Sequence, residues 1–198
     1  MADQSLKHIN EFYNKLEFRF DLFNTIEKGT FVTGSIKHIF KVLQALITEF
    51  KLINEKDLVL DAGSGDGRIC AIFSILKIQS FGIEFNEHVY QSSIENINEL
   101  LKNEYIPLQY KPKIIQGDFL DNESYSKLEI SFSDITVFYN YVTYQDLITE
   151  KIVKESKVGT LFILHSPCPT DFSCSGLEKI LDIPIKEIYH VIYVFRKI

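Results

Sequence analysis

The sequence predicts an α/β fold in which a mostly parallel sheet is covered by helices on both faces. From residue 57 onward, short apolar runs alternate with helical patterns of apolar residues, which is typical of β-α-β units. The first apolar run is followed directly by a glycine-rich segment, residues 63–67. Such a segment between a strand and a helix marks the edge of the sheet where ligands bind.

Composition is that of one globular domain with a small extension. The 198 residues are 45% hydrophobic and 24% charged, and the net charge is −6 without a long basic run, so no nucleic-acid partner is expected. Three cysteines without regular spacing predict neither a zinc site nor a disulfide framework. Without an apolar signal core or a run long enough to cross a membrane, the expected location is cytoplasmic.

The N-terminal fifth of the chain predicts two helices. Apolar residues recur every three or four positions over residues 4–27, and Gly29 is the expected stop. They are Leu6, Ile9, Tyr13, Leu16, Phe20 and Phe23. A second pattern covers residues 36–50, with Thr33 or Ser35 as its cap. We expect residues 1–50 to form a helical extension packed on a domain of residues 51–198.

The remaining chain alternates between strands and helices. The predicted strands cover residues 58–61, 80–84, 113–116, 134–139, 160–165 and 185–195. The predicted helices cover the segment after the glycine loop to residue 76, residues 87–101, a short segment after the third strand, and residues 145–156. The carboxyl ends of parallel strands meet at one edge of the sheet, so polar residues at these ends are the candidates for a site.

The glycine loop, VLDAGSGDGR, does not suit a phosphate ligand. Its glycines are spaced G-x-G-x-G, whereas a dinucleotide loop has G-x-G-x-x-G. Asp61 and Asp66 would also repel a phosphate bound at the helix N-terminus. A ligand with a positive centre fits better, and S-adenosylmethionine carries a sulfonium and an ammonium but no phosphate.

Acidic residues end three consecutive predicted strands. Glu84 can accept hydrogen bonds from ribose hydroxyls, Asp118 can accept from an adenine amino group, and Phe119 can lie against the adenine ring. Each residue has a plainer interpretation: Asp61 as a helix cap, Glu84 as a solvated strand end, Asp118 in an Asx turn and Phe119 in the core. Three acids in this order favour a ligand site.

The segments DLVLDAGSGDGRI, FGIE and IIQGDF resemble the first three motifs of the class I, seven-stranded S-adenosylmethionine-dependent methyltransferases over about residues 57–165. The resemblance implies a Rossmann-like, doubly wound sheet of six parallel strands and one antiparallel strand. It implies S-adenosyl-L-methionine as cofactor and S-adenosyl-L-homocysteine as product. The cofactor-binding residues it implies are Phe31, Thr33, Asp61, Gly63, Ser64, Gly65, Gly67, Glu84, Phe85, Asp118 and Phe119.

The fourth strand bears on the methyl acceptor. It reads DITVFYNYVTY and lacks the Asn/Asp-Pro-Pro-Tyr motif of enzymes that methylate planar amides and adenines. With the other motifs it resembles the non-SET, stand-alone protein lysine methyltransferases of the disruptor-of-telomeric-silencing and ATP-synthase c-subunit types. This resemblance implies a protein lysine as acceptor and Asn140 near the transferred methyl group. Tyr139 and Tyr141 could line a channel for the amine, because aromatic faces attract cations.

Several alternatives stay open at this point. Tyr139 could simply pack in its strand, Tyr141 could be a surface aromatic, and His165 is interpreted as structural. The acceptor could be a small molecule beneath an N-terminal lid, or the protein could bind the cofactor without catalysis. An NAD-dependent oxidoreductase is disfavoured by the loop spacing and Asp61.

Overall fold

The structure, a computed structural model, describes residues 2–17, 25–26, 29–30, 35–142 and 144–198. Seven strands form one mixed sheet in the order β5-β4-β3-β6-β7-β9-β8. They are β3 (Leu58–Ala62), β4 (Gln79–Glu84), β5 (Lys113–Gln116), β6 (Val137–Tyr141), β7 (Leu161–Ser166), β8 (Leu177–Ile185) and β9 (His190–Lys197). Two further short strands, β1 (Thr25–Ile26) and β2 (Gly29–Thr30), pair with each other.

The sheet has one strand of opposite direction. Strands β5, β4, β3, β6 and β7 pair in parallel, whereas β9 is antiparallel to both β7 and β8. Six strands therefore point the same way, and the chain reverses its winding direction at β3, in the middle of the sheet. The predicted seven-stranded, mostly parallel fold class is confirmed.

In the described part of the chain, six α-helices contribute to the cores on the two faces of the sheet. They are α1 (Ala2–Glu17), α2 (Ile36–Thr48), α3 (Arg68–Ile75), α4 (Glu87–Lys102), α5 (Asn122–Leu128) and α6 (Gln145–Glu155). Because successive strand side chains point to opposite faces, Val59 joins the core shared with α1 to α4, and Leu60 joins the core shared with α5 and α6. Within the described residues, no helix is long and apolar enough to cross a membrane.

Three predicted elements differ from the structure. The final strand predicted over residues 185–195, with a hairpin-like return before it, is β9 over His190–Lys197; the return is made by β8, which is absent from the prediction as a strand. As an edge strand, β8 carries exposed charges such as Glu178 and Asp182, which hide its apolar pattern.

The other two differences concern element boundaries. Residues 134–136 precede the fourth strand, so Asn140 lies within β6 rather than after it. The helix predicted over residues 4–27 is described over Ala2–Glu17, whereas Thr25–Ile26 form β1, which pairs with β2, the strand that contains the expected stop, Gly29. Residues 18–24, with Phe20 and Phe23, lie outside the described part of the chain.

Helix α1 packs on α2 and α3 through two fully buried residues. Ile9 and Tyr13 belong to the same core as α2 and α3. The Tyr13 hydroxyl also donates to the backbone oxygen of Asp66, in the glycine loop, at 3.3 Å. The N-terminal helix thus supports the loop at which the candidate site is built.

This packing predicts unequal effects of two substitutions on α1. Ile9→Ala should lower the free energy of unfolding by about 2–5 kcal/mol, because it leaves a cavity in the core. Lys7→Ala is the matched control, since the Lys7 side chain is 73% exposed and its 3.9 Å pair with Glu11 contributes little. Urea denaturation measures both changes, and equal small effects would show that α1 does not dock as described.

Candidate active site

The loop from β3 to α3 has a backbone that requires glycine. Gly63, Gly65 and Gly67 have φ angles of 84°, 54° and 84°, a region that residues with a β-carbon rarely adopt. The amides of Gly63 and Ser64 both donate to the carbonyl oxygen of Ile83, at 3.0 and 3.1 Å. The loop is therefore fastened across the end of β4 before α3 begins.

Ser64 is buried beneath this loop. Its hydroxyl has no hydrogen-bond partner among the described residues. A β-carbon on Gly82, in β4, would lie 2.8 Å from both Cβ and Oγ of Ser64. Because Gly82 has no side chain, Ser64 can occupy this space. The two residues therefore determine how closely the loop approaches the sheet.

Glu84 ties the end of β4 to the same loop. Its buried carboxylate accepts from the Gly65 amide through Oε2 and from the Asn86 amide through Oε1, both at 2.9 Å. Burial raises the pKa of Glu84, although these amide donors act in the opposite direction. The Phe85 amide also acts on this carboxylate, and because a carboxylate has about four acceptor positions, acceptor capacity remains for a ligand hydroxyl.

Asp61 is buried without a cationic side chain bonded to it among the described residues. It is 2% exposed, at the end of β3, and the thiol of Cys70 lies 3.9 Å from Oδ2. Burial raises the pKa of Asp61 well above its usual value, and the nearby negative charges of Glu84 and Asp66 raise it further. A cationic ligand at this position would relieve this unfavourable environment.

Asp66 has a structural partner. Its buried carboxylate forms a two-pronged ion pair with Arg68, with Nη2 to Oδ2 at 2.7 Å and Nε to Oδ1 at 3.0 Å. The Arg68 guanidinium lies over the ring of Tyr13, and the Asn96 side chain donates to the Asp66 backbone oxygen at 3.0 Å. These contacts secure the start of α3 and the tip of the glycine loop.

The third strand end differs from the first two. Asp118 is half-buried, and its Oδ1 accepts from the Leu120 amide at 2.9 Å, which is the Asx-type turn of the plainer interpretation. Phe119 is buried, and its Cε1 lies 3.9 Å from where a β-carbon on Gly63 would be. The Phe119 ring therefore adjoins the glycine loop, whereas Phe85 is 38% exposed at the end of β4.

The residues predicted to meet the acceptor lie on two faces of β6. Asn140 is fully buried, pairs in register with Ala62, and donates through Nδ2 to the Ala62 backbone oxygen at 2.9 Å. Tyr139 lies in the opposite core, with its hydroxyl 2.7 Å from Nδ1 of His165. Tyr141 is half-buried, and its ring stands edge-on to that of His165.

The structure brings part of the predicted site together. Asp61, the glycine loop, Glu84 and Asn140 converge at the carboxyl ends of β3, β4 and β6. Phe31 and Thr33 lie outside the described residues. In the described ranges, no group of three or more His, Cys, Asp or Glu side chains could hold a metal ion.

One contact at this edge has no counterpart in the sequence analysis. His190, the first residue of β9, lies with its Nδ1 2.8 Å from Nε2 of His165. The sequence does not predict this contact, because His190 and His165 are 25 residues apart along the chain.

Comparison with solved structures identifies the architecture. An RNA methyltransferase from Salinibacter ruber, crystallised with S-adenosyl-L-homocysteine, is 19% identical, with 79% of this chain and 91% of that chain covered and a TM-score of 0.56. A point mutant of MtNAS in complex with S-adenosylmethionine is 11% identical, with 99% and 71% covered and a TM-score of 0.63. The chain has the class I S-adenosylmethionine-dependent methyltransferase fold. Both neighbours carry the predicted cofactor or its product.

One curated relative is similar in sequence over most of the chain. It is a protein-lysine N-methyltransferase from Saccharolobus islandicus (strain REY15A), 23% identical over 161 residues, which cover 78% of this chain and 88% of the relative. No family model matches the chain.

The contact between Gly82 and Ser64 predicts a compensating pair of substitutions. Gly82→Ala should lower the free energy of unfolding by about 1–3 kcal/mol, because the added methyl overlaps Ser64. Combining it with Ser64→Gly removes both overlapping atoms and should recover part of that loss. Thermal denaturation of the single and double variants tests this, and a double variant no more stable than Gly82→Ala alone would contradict it.

The environment of Asp61 predicts that its charge destabilises the unliganded protein. Its folded-state pKa is raised, so its contribution to stability is greatest at acid pH and declines as pH rises through that pKa. Asp61→Asn should therefore increase the free energy of unfolding at pH 7 by about 0.5–2 kcal/mol and flatten its pH dependence. Asp171→Asn, at an exposed loop position, is the control. Loss of stability in Asp61→Asn at pH 7 would contradict the prediction.

Proposed function

We propose that this protein is an S-adenosylmethionine-dependent methyltransferase that transfers a methyl group to a lysine amine of a basic protein segment. The observation that carries the choice of acceptor is the charge at the carboxyl edge of the sheet. The arrangement of Asp61, Glu84 and the glycine loop supports the cofactor.

The cofactor fits the unusual features of the loop. The buried carboxylate of Asp61, with two acids nearby, suits the ammonium and sulfonium of S-adenosylmethionine. Gly63, Gly65 and Gly67 allow close backbone approach, and Glu84 has acceptor positions for the ribose hydroxyls. We assign the adenine to Asp118 and Phe119 and leave Ser64 and Phe85 at the border of the site. Closure of the pocket we assign to Phe31 and Thr33.

The acceptor side is defined by the acidic rim, meaning the loops and first helical turns at the carboxyl ends of the strands. Among the described residues outside the buried Asp66–Arg68 pair, the rim exposes or half-exposes seven acids and one lysine. The acids are Glu87, Asp118, Asp121, Glu123, Asp146, Asp171 and Glu187, and the lysine is Lys186. This field repels a phosphate backbone and attracts a cationic protein segment.

The charges are polarised across the molecule. Acids in the first turns stabilise the N-termini of α4, α5 and α6, and the last turns of the same helices carry Lys102, Lys127 and Lys154. The negative field is therefore concentrated at the edge that holds Asp61 and Glu84. Exposed apolar side chains at the same edge can pack against the aliphatic stems of lysine and arginine. They are Phe85, Tyr144, Leu147 and Tyr189.

Catalysis in this proposal depends on positioning. When bound, S-adenosylmethionine would supply an activated methyl group, which a neutral amine would take up by in-line attack on the methyl carbon while S-adenosylhomocysteine leaves. The chain holds the amine in that line, and we assign Asn140 to the position nearest the methyl group, because its hydrogen bond to Ala62 fixes its amide between β3 and β6. Tyr141 is assigned to the wall of the amine channel. Tyr139, which the sequence predicts beside Tyr141, lies in the core and contributes through its hydrogen bond with His165.

The acceptor class can be tested with methyl-labelled S-adenosylmethionine and a lysate from the source cell, separated into protein, RNA and small-molecule fractions. We expect the label in protein, on lysine after hydrolysis, and none with Asp61→Ala as the blank. Label confined to RNA or to small molecules would overturn the lysine assignment. Cofactor binding without any label would indicate a protein that binds the cofactor without catalysis.

The acidic rim makes a sharper prediction. With the identified protein acceptor, Glu87→Lys combined with Asp146→Lys should raise KM by about tenfold or more at low salt, because attraction becomes repulsion. The effect should shrink as salt rises, while the Kd for S-adenosylmethionine stays the same. Lys102→Glu, at the opposite edge, is the charge-reversal control. A KM that changes neither with salt concentration nor with the charge of the acidic rim would contradict the proposed recognition.

A further inference from the structure

Three side chains form a hydrogen-bonded chain beside the acceptor end of the site. Tyr139 Oη lies 2.7 Å from His165 Nδ1, and His165 Nε2 lies 2.8 Å from His190 Nδ1. Tyr139 and His165 are fully buried, whereas His190 is half-exposed. The chain crosses three strands, β6, β7 and β9, and reaches the surface at one end.

The positions of the hydrogens in this chain follow from its contacts. A neutral imidazole has one N–H donor and one acceptor nitrogen. If Tyr139 donates to His165 Nδ1, then His165 carries its hydrogen on Nε2 and donates to His190 Nδ1. Every hydrogen within the chain then has an acceptor, and His190 keeps its own hydrogen on Nε2. The reverse order would leave the buried Tyr139 hydrogen without an acceptor in the chain.

The hydrogen-bonded chain of Tyr139, His165 and His190 supports the ring of Tyr141. Tyr141 pairs in register with His165 on the neighbouring strand, and their ring centroids are 4.6 Å apart at an interplanar angle of 88°. The ring of His190 lies 6.1 Å from that of Tyr141. Tyr141 follows Asn140 directly in β6. The imidazole rings of His165 and His190 therefore pack against Tyr141, the residue that we assign to the wall of the amine channel.

The geometry does not suit a proton path. The Tyr139 end is fully buried, so a proton from an acceptor amine has no direct entry there. Burial and the neighbouring His190 lower the pKa of His165 to about 3, and burial also lowers the pKa of His190. Both rings are therefore neutral at physiological pH, and the chain is a rigid, uncharged support.

We propose that His165 and His190, fixed by Tyr139, are positioning residues that hold the Tyr141 ring against the methyl acceptor. This inference rests on the proposed function, which identifies the site. It adds His165 and His190 to the residues assigned to that site. The cofactor residues lie at the ends of β3, β4 and β5, whereas the hydrogen-bonded chain lies on β6, β7 and β9, with Tyr139 pairing in register with Asp61.

Kinetics with the labelled acceptor provide the first test. His190→Ala and Tyr139→Phe should each raise KM for the acceptor by about tenfold, as expected for losing one buried hydrogen bond. The Kd for S-adenosylmethionine should stay within about twofold of wild type. Tyr139→Phe keeps the buried ring and so guards against loss of folding, and His88→Ala, at an exposed position, is the control. An unchanged KM, or an equal loss of cofactor affinity, would overturn the proposal.

A second test does not depend on activity. Long-range ¹⁵N–¹H NMR of the imidazoles should show both His165 and His190 as the neutral Nε2–H tautomer at pH 7, and Tyr139→Phe should abolish this preference in His165. If the tautomers are as expected but no acceptor is labelled, the proposed function is contradicted, whereas the hydrogen-bonded chain of Tyr139, His165 and His190 is confirmed. If His165 carries its hydrogen on Nδ1, the chain fails whatever the acceptor is.

Discussion

The candidate site depends on a buried carboxylate at the centre of the sheet. Asp61 ends β3, where the winding of the sheet reverses, and the fold holds it 2% exposed with Glu84 and Asp66 nearby. An acid in such a place lowers stability unless a positive charge meets it. The surrounding structure therefore has to hold the acid in position, and the loop, Gly82 and α1 all contribute to this.

The support for Asp61 comes from parts of the chain that are far apart in sequence. The glycine loop is fastened to β4 through Ile83 and Glu84, and Asp66 at its tip is neutralised by Arg68. Tyr13 then packs under Arg68 and bonds to the Asp66 backbone, 53 residues away in sequence. The N-terminal helix is in this way part of the mechanism that keeps an unfavourable charge in place.

The sequence predicts structure best where local chemistry and topology agree. The loop glycines and the acids that end β3 and β4 lie at one edge, as the alternation of strands and helices predicts. Edge strand β8 was missed because its exposed charges mask its apolar positions. The Asx turn of Asp118 could not be distinguished from a ligand contact, and the His165–His190 contact could not be found, because pairing between distant segments depends on tertiary packing.

The proposed acceptor half of the site has a different electrostatic character from the cofactor half, and the chemistry explains why. Acids on the outer rim attract a lysine ammonium, but an acid beside the reacting amine would favour the charged form and raise its pKa, which removes the nucleophilic lone pair. Neutral imidazoles behind Tyr141 give support without that penalty. The same amine is therefore drawn in by charge at the rim and met by uncharged groups within, where it has to lose its proton before it can attack the methyl group.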